Sequence, residues 1–321
     1  MARVFLVDTD TASDDAVALI MALRAPEVRV AAITTVAGNV DVEQATRNAL
    51  YTVELCGSEA PVYRGAAQPL ERELEDATWF HGRDGLGDQG YGAPLRTAEA
   101  GDAVDVMIAA IERNPGIEMV TLGPLTNVAM ALRRKPEIAT GVGRCVVMGG
   151  NPCCVGNVTP AAEYNFWTDP EAARVVMRSR MPLEIVGWHL CRGPAVLNDR
   201  DIRRVLATGT AQARFAIECN VHARRAYREQ TGEDGISLPD PVAMAIALDR
   251  TIALSWSRHF VDVEVESRLT RGMSAVDQLN VAGNPRNRGI WSEYLDGRDG
   301  ATIYWSLDVE RWKTALLRAL E

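Results

Sequence analysis

Short, continuous apolar runs alternate with helical patterns over the first two thirds of the chain. Continuous runs are typical of strands that are buried on both faces of a parallel sheet. The predicted strands cover residues 3–7, 29–36, 117–122, 144–148 and 183–187. Apolar positions with the spacing of amphipathic helices occur between them, over residues 16–23, 42–56, 103–113, 126–134 and 170–178. This order predicts an α/β fold with a Rossmann-like core, in which helices flank a mostly parallel central sheet.

The pattern changes after residue 200, where helical stretches precede shorter strands. Helices are predicted over 200–208, 210–230 and 240–249, strands over 258–266, 272–277 and 301–306, and a closing helix from Val309. No stretch rich in proline, glycine or serine divides the chain, so we predict a single domain over residues 1–321. Two irregular stretches, 64–101 and 149–169, are long enough that we expect them to serve a functional site.

Composition and charge narrow the range of partners. The 321 residues are 47% hydrophobic and 24% charged, as in ordinary globular proteins, and the formal net charge is -9. This negative charge argues against nucleic acid or an anionic membrane as the main partner. The apolar run at residues 4–7 is too short for a signal peptide or a membrane span, so we expect a cytoplasmic protein. The 6 cysteines lack C-x-x-C spacing and are expected to be reduced.

Candidate chemistry begins where the first predicted strand ends. The aspartates Asp8, Asp10, Asp14 and Asp15 lie close together in sequence, and their charges would repel one another unless a cation offset them. Capping of the next helix by Ser13 would explain Asp14 and Asp15, because acidic residues favour the positive end of a helix. It leaves Asp8 and Asp10 without a role. Carboxylate oxygens suit Ca²⁺ or Mg²⁺ better than zinc, so we predict a hard-metal site.

Polar residues also follow other predicted strands. Examples are Asn39, the Gly-Pro break of residues 123–127, the loop after Gly150, and His189. The carboxyl ends of parallel strands share one edge of a sheet, where ligands of open α/β sheets bind. We therefore expect these segments to converge on one pocket, and the backbone carbonyl of Leu122, freed by the turn, is a further candidate metal ligand.

Several of these blocks together resemble the inosine-uridine preferring nucleoside hydrolase family. Residues 8–15 (DTDTASDD) resemble the family's acidic signature, and residues 123–127 (GPLTN) and 156–165 (GNVTPAAEYN) match two further blocks. With His81-Gly82 and residues 239–241 (PDP) added, the similarity runs in the right order from residue 3 to about residue 250. The resemblance implies a nucleoside hydrolase fold and hydrolysis of the N-glycosidic bond of ribonucleosides.

The resemblance also implies roles for individual residues. Calcium would be the cofactor, and its ligands would be Asp10, Asp15, the Leu122 carbonyl and Asp240. The ribose hydroxyls would be held by a second set of side chains, Asp14, Asn157, Glu163 and Asn165, with Asn39 close by. The expected catalytic residues are Asp10, Asn39 and His81, with Asp10 placed to accept a proton from the attacking water. His81 and Tyr227 are candidate contacts to the base, and a homodimer or homotetramer is implied.

One position departs from the family pattern. Members often carry a histidine immediately before the last metal-binding aspartate, where it can protonate a departing purine, and this chain has Pro239 there. A proline side chain cannot transfer a proton. Metal and ribose binding are unaffected by this change, whereas the preferred base and the activation of the leaving group are left open.

Two other functions remain as alternatives at this stage. The D-T-D sequence of residues 8–10 after a buried strand also resembles the nucleophile loop of haloacid-dehalogenase-like phosphatases, although Ala12 stands where that family has Thr or Val. A protein that binds ribose or nucleosides without catalysis is the second alternative. Intact Asp10, Asp15 and Asp240 argue against it.

Overall fold

Ten strands and the helices between them are seen in the computed structural model, which describes residues 2–287, 289, 291 and 300–321. The domain predicted over 1–321 includes a few positions outside that description. The strands are β1 (Arg3–Thr9), β2 (Val28–Thr35), β3 (Val62–Arg64), β4 (Ile117–Thr121), β5 (Val142–Met148), β6 (Leu183–Val186), β7 (Ala253–His259), β8 (Val261–Val263), β9 (Ser274–Val276) and β10 (Ala301–Leu307).

Helices fill most of the connections between the strands. They are α1 (Ser13–Arg24), α2 (Val42–Leu55), α3 (Thr78–His81), α4 (Ala103–Arg113), α5 (Thr126–Arg134), α6 (Tyr164–Thr168), α7 (Pro170–Met177), α8 (Asp199–Leu206), α9 (Ala211–Glu218), α10 (Val221–Thr231), α11 (Pro239–Leu248) and α12 (Val309–Leu320). Short 3₁₀ helices cover Pro136–Thr140, Trp188–Cys191, Gly193–Ala195 and Arg250–Ile252. Within the described ranges, no helix is long and apolar enough to cross a membrane.

The central sheet has eight strands in the order β3-β2-β1-β4-β5-β6-β10-β7. All neighbouring pairs are parallel except β10 with β7, which are antiparallel. Successive residues of a strand point to opposite faces, so Phe5 and Val7 pack into one apolar cluster and Leu6 packs into the other. Helices α1, α11 and α12 cover the first face, and α4, α5 and α7 cover the second. The predicted α/β architecture with a mostly parallel sheet is confirmed.

Three local predictions were wrong. The helix expected over 210–230 is broken at Cys219 and Asn220, where the Asn220 amide donates to the Ala216 carbonyl (2.9 Å) and competes with the helical backbone pattern. The strand expected over 258–266 is two strands in different sheets, since β7 pairs with β10 and β8 pairs with β9. Strand β3 was missed because it is only three residues long and lies at the sheet edge.

Candidate functional site

A cavity opens at the carboxyl ends of the central parallel strands. The space between its walls, including the part that is open to solvent, is about 630 Å³. Its wall contains most of the residues that the sequence singled out: Asp14, Asn39, His81, Leu122, Asn157, Glu163, Asn165 and Asp240. Segments that lie far apart in sequence therefore meet at one place, as expected for strand ends on a shared edge.

Carboxylates gather at the floor of this cavity. Three buried side chains, Asp14, Asp15 and Asp240, each contribute one carboxylate oxygen. These three oxygens all lie within 4.8 Å of one another. Asp14 and Asp15 stand in the first turn of α1, and Asp240 stands in the first turn of α11. Two helix N-termini thus face the same point, where their positive ends favour negative charge.

Burial and mutual repulsion disfavour the ionised form of these groups. Burial raises the pKa of Asp14 to about 6. Burial together with the charges of Asp15, Asp14 and Asp10 raises the pKa of Asp240 well above its usual range. The pKa of Asp10 is also raised well above its usual range, by burial and by the Asp15 charge. A cation at this floor would offset the repulsion.

Hydrogen bonds hold two of the carboxylates rigidly from below. Asp15 accepts from the Thr9 hydroxyl (2.6 Å) and from the backbone N–H of Ala12 (3.0 Å). Asp10 accepts from the backbone N–H of Asn39 (2.6 Å) through Oδ2. The other oxygen of Asp10 and Oδ1 of Asp14 are buried without a hydrogen-bond partner among the described residues. Unpartnered, buried carboxylate oxygens are the donor set that a hard cation takes.

Two glycines leave room for the Asp10 carboxylate. A Cβ added at Gly38 would lie 2.1 Å from Asp10 Oδ2, and one added at Gly123 would lie 2.6 Å from Oδ1. Both glycines belong to loops that follow central strands. Any larger residue at either position would displace the Asp10 side chain. The glycine of the Gly-Pro sequence therefore leaves space for Asp10, in addition to forming the turn.

Asp8, unexplained by helix capping, faces away from the cavity. Its Oδ1 accepts from the Thr34 hydroxyl (2.6 Å) and from the Asn127 amide (2.8 Å). The same amide donates to the Thr35 carbonyl (2.9 Å), and its oxygen accepts from the Ala66 N–H (2.9 Å). Asp8 and Asn127 thus join the strand-end loops to one another beneath the site.

Hydrogen bonds hold three of the residues expected to bind ribose, Asn157, Glu163 and Asn165. Glu163 accepts from the N–H groups of Asn165 (2.8 Å) and Gly150 (2.7 Å), and burial raises its pKa to about 7. The Asn165 amide donates to the Leu122 carbonyl (2.7 Å), which keeps a second lone pair for a further partner. Asn157 accepts from the Tyr164 N–H (2.9 Å). Each of these polar groups is held in place before any substrate enters.

His81, Trp79 and Phe80 form another part of the cavity wall. The His81 Nδ1 atom lies 2.8 Å from the Ser13 hydroxyl and 3.8 Å from Asp14 Oδ1. Burial lowers the pKa of His81 to about 4, so its ring is neutral at neutral pH. Trp79 is 58% exposed at the mouth of the cavity and packs edge-on against Phe80.

Tyr227 does not reach the cavity. Its ring is fully buried in the core, and its hydroxyl donates to Glu233 (2.7 Å). The same helix places Gln230 on the cavity wall instead. His189, also expected near the pocket, points its Nε2 at the Tyr304 carbonyl (2.8 Å). Further wall residues were not singled out by sequence: Ala77, Trp79, Phe80, Met148, Val158, Gln230 and Ser237.

Comparison with known proteins agrees with this geometry. A family model described as inosine-uridine preferring nucleoside hydrolase matches residues 5–313. A pyrimidine-specific ribonucleoside hydrolase, RihA, from Salmonella enteritidis is 37% identical, over 90% of this chain and 93% of that protein. A solved plant nucleoside hydrolase, PpNRh1, superposes with a TM-score of 0.92 at 30% identity, covering 100% of this chain and 99% of its own.

A purine-preferring ribonucleoside hydrolase from Gardnerella vaginalis also superposes, with a TM-score of 0.89 at 29% identity and 99% and 98% of the two chains covered. These relatives differ in the base they prefer, yet they share the whole length of the fold. The haloacid-dehalogenase-like alternative is set aside, since the match extends from the first strand to the last helix. This chain belongs to the inosine-uridine preferring nucleoside hydrolases, a family of enzymes that cleave N-glycosidic bonds.

Proposed function

We propose that this protein is a calcium-dependent ribonucleoside hydrolase, which cleaves the N-glycosidic bond by attack of water and releases ribose and free base. The observation that carries the proposal is the group of buried carboxylates, with oxygens within 4.8 Å of one another, at the floor of a cavity walled by polar side chains. A hard divalent cation fits this donor set, which is made entirely of oxygen.

Asp10, Asp15, Asp240 and the Leu122 carbonyl would hold the cation. The geometric cluster contains Asp14 where this set has Asp10. Both residues have a buried oxygen without a hydrogen-bond partner. We assign Asp14 to the substrate because it lines the cavity, whereas Asp10 is fully buried beneath it. When bound, the cation would supply Lewis acidity that lowers the pKa of a water molecule.

Asp10 would act as the proton acceptor for the attacking water. Its Oδ2 is already held by the Asn39 N–H, so Oδ1 is the atom that faces the attacking water and the cation. Without a cation, burial and the Asp15 charge raise the pKa of Asp10, and a bound cation would lower it again. The backbone N–H of Asn39 would orient the Asp10 carboxylate. The Asn39 side chain lines the cavity where the ribose would bind.

Asp14, Asn157, Glu163 and Asn165 would bind the ribose hydroxyls. Positive charge develops on the sugar as the bond to the base breaks, and the surrounding carboxylates favour it over the neutral substrate. These polar groups are buried or half-buried, so a missing hydroxyl would leave them unpaired. We therefore infer that ribonucleosides are preferred over deoxyribonucleosides.

The proposed function is tested by a panel of ribosides assayed for released reducing sugar, with bound calcium measured in the same sample. We expect turnover of ribonucleosides, about one calcium per chain, and loss of both on treatment with a chelator. Binding of ribose or nucleosides by calorimetry without any turnover would instead favour a non-catalytic binding protein. Turnover that persists after complete removal of divalent cations would contradict the assigned role of the carboxylates.

Pro239 leads to a prediction about the leaving group. It lines the cavity and carries no proton, and the hydroxyl of Tyr227 is already donated to Glu233. Ribosides whose leaving group needs no proton should therefore be favoured, because loss of a general acid typically costs ~10²–10⁴-fold in rate. We expect kcat/KM for a nitrophenyl riboside to exceed that for inosine by more than about tenfold.

The variants His81→Ala and Pro239→His test this explanation. If His81 takes up a proton when substrate binds and passes it to the base, the first should lower kcat/KM for inosine more than for the nitrophenyl riboside, because His81 lines the cavity and can carry a proton, unlike Pro239. Pro239→His should reduce the ratio of kcat/KM between the nitrophenyl riboside and inosine if the new imidazole ring reaches the leaving base. Inosine turnover within about tenfold of the activated substrate, with a ratio that His81→Ala leaves unchanged, would show that another group supplies the proton.

Two expectations from the sequence remain predictions: a cytoplasmic location, and a homodimer or homotetramer. The second can be checked by light scattering of the purified protein.

A further inference from the structure

A row of charged side chains crosses the far half of the central sheet, away from the cavity. Neighbouring strands β1, β4, β5, β6 and β10 each contribute one residue, in the order Arg3, Glu118, Arg144, Glu184 and Tyr304. Arg3 Nε donates to Glu118 (2.7 Å), Arg144 Nε donates to Glu184 (2.7 Å), and the Tyr304 hydroxyl donates to Glu184 (2.5 Å). The glutamates therefore fix the direction of both guanidinium groups.

Both guanidinium groups point at the end of α11. Arg3 donates to the carbonyls of Leu248 (2.8 Å) and Ala247 (2.6 Å). Arg144 donates to the carbonyls of Ala247 (2.9 Å) and Ile246 (3.0 Å). The last four carbonyls of a helix have no partner inside it. The two arginines satisfy three of them, and the Asp249 N–H satisfies the fourth, at Ala245 (2.8 Å).

Helix α11 has polar anchors only at its two ends. After Asp240 its sequence is P-V-A-M-A-I-A-L, without a polar side chain, and residues 240–247 are buried. Val242, Met244 and Ile246 are packed in the core. Apolar packing is not directional, so the hydrogen bonds to the last carbonyls are what fix the carboxyl end of the helix in position.

The other end of α11 carries Asp240, whose carboxylate oxygen lies within 4.8 Å of oxygens of Asp14 and Asp15. Pro239 fits the first helical position, because the first N–H groups of a helix have no partner inside it. The place of Asp240 in the cluster therefore depends on where the helix as a whole is held, and the carbonyl contacts of Arg3 and Arg144 hold its other end.

We propose that Arg3 and Arg144 are positioning residues, which anchor the carboxyl end of α11 and thereby hold Asp240 in place for cation binding. The inference rests on the proposed cation site. Arginine suits this task because its planar fork can donate to two carbonyls and a carboxylate at once, which a lysine ammonium cannot do in the same geometry.

Arg144→Met tests the proposal with a closely matched control. Methionine keeps an unbranched apolar stem and removes every donor. Arg72→Met removes the same kind of contacts elsewhere, since Arg72 donates to Glu171 (2.9 Å) and to the Val265 carbonyl (2.7 Å). Calorimetric titration with calcium chloride alone should show weaker affinity for Arg144→Met, by at most the roughly 10- to 100-fold that removal of a direct hydrogen-bond partner of a metal ligand costs. Arg144→Lys should recover part of the loss, and Arg72→Met should bind calcium as the wild type does.

Hydrogen exchange of the calcium-free proteins gives a second, independent result. Amides of residues 238–249 should exchange faster in Arg144→Met than in Arg72→Met, while those of α4 and α5 remain protected in both. Unchanged calcium affinity, or uniformly faster exchange in all helices, would overturn the proposal. If the wild type bound no calcium, the proposed cation site would fail, and local exchange in α11 would still decide whether the arginines anchor this helix.

Discussion

Asp240→Ala should abolish calcium binding and lower kcat/KM by more than about 10³-fold, because the change removes a direct ligand and with it the shift in water pKa that a bound cation produces. The expected effect is large although Asp240 lies far from the acidic cluster in sequence. The fold brings carboxylate oxygens of Asp14, Asp15 and Asp240 within 4.8 Å of one another. Calcium content by atomic emission and turnover of a nitrophenyl riboside measure the two effects.

A matched control separates this effect from general destabilisation. Asp169 is also a buried aspartate at a helix start, where it accepts from the Ala172 N–H (2.9 Å) and the Thr126 hydroxyl (2.6 Å). It does not line the cavity. Asp169→Ala should lower the melting temperature and leave calcium stoichiometry unchanged. Stoichiometric calcium in Asp240→Ala would rule out Asp240 as a ligand.

Asp240→Asn adds a thermodynamic signature. In calcium-free protein the buried charge of Asp240 is repelled by Asp14 and Asp15, so its neutral isostere should raise the melting temperature. Calcium should stabilise the wild type, since a ligand that binds only the folded state shifts the unfolding equilibrium. It should stabilise Asp240→Asn much less. The order of stability would thus reverse between chelator and excess calcium.

Asp10→Asn, assayed in excess calcium because Asp10 is also an assigned ligand, should lower kcat by about 10²–10⁴-fold while KM changes little, because the carboxylate is needed to take a proton and not to hold the sugar. Asparagine keeps the shape of the side chain and the acceptor for the Asn39 N–H. Initial rates over a range of substrate concentrations separate the two constants.

Two neighbouring variants serve as comparisons. Asp8 lies two residues before Asp10, within β1, and faces Thr34 and Asn127, so Asp8→Asn should leave kcat nearly unchanged. Asp14→Asn should raise KM more than Asp10→Asn does, because Asp14 lines the cavity. A loss confined to KM in Asp10→Asn would mean that Asp10 binds the ribose and that another group is the base.

The strands and helices of the first two thirds follow closely from local pattern. Strands buried on both faces need continuous apolar runs, and Leu6 beside Phe5 and Val7 shows why, since both clusters of the core draw on the same strand. Strand β3 was not predicted, because three residues at a sheet edge are too few to show a periodic pattern of apolar positions. The break at Cys219 and Asn220 was not predicted either, because a side-chain hydrogen bond, rather than a change in apolar spacing, interrupts the helix.

The sequence by itself determined the α/β class, the acidic turn after β1 and the family resemblance, because each depends on residues that are near neighbours or on ordered motifs.

The tertiary structure alone decided which polar residues face the cavity. Asp8 and Asp10 are two residues apart and would share a face if β1 continued, yet β1 ends at Thr9, so Asp8 supports the loops and Asp10 reaches the floor of the site. Tyr227 and Gln230 share a helix, and only the packing of α10 turns Gln230 to the wall. The anchoring of α11 by Arg3 and Arg144 joins residues more than a hundred positions apart. Such pairings arise from the long-range registry of strands and helices, which no local pattern encodes.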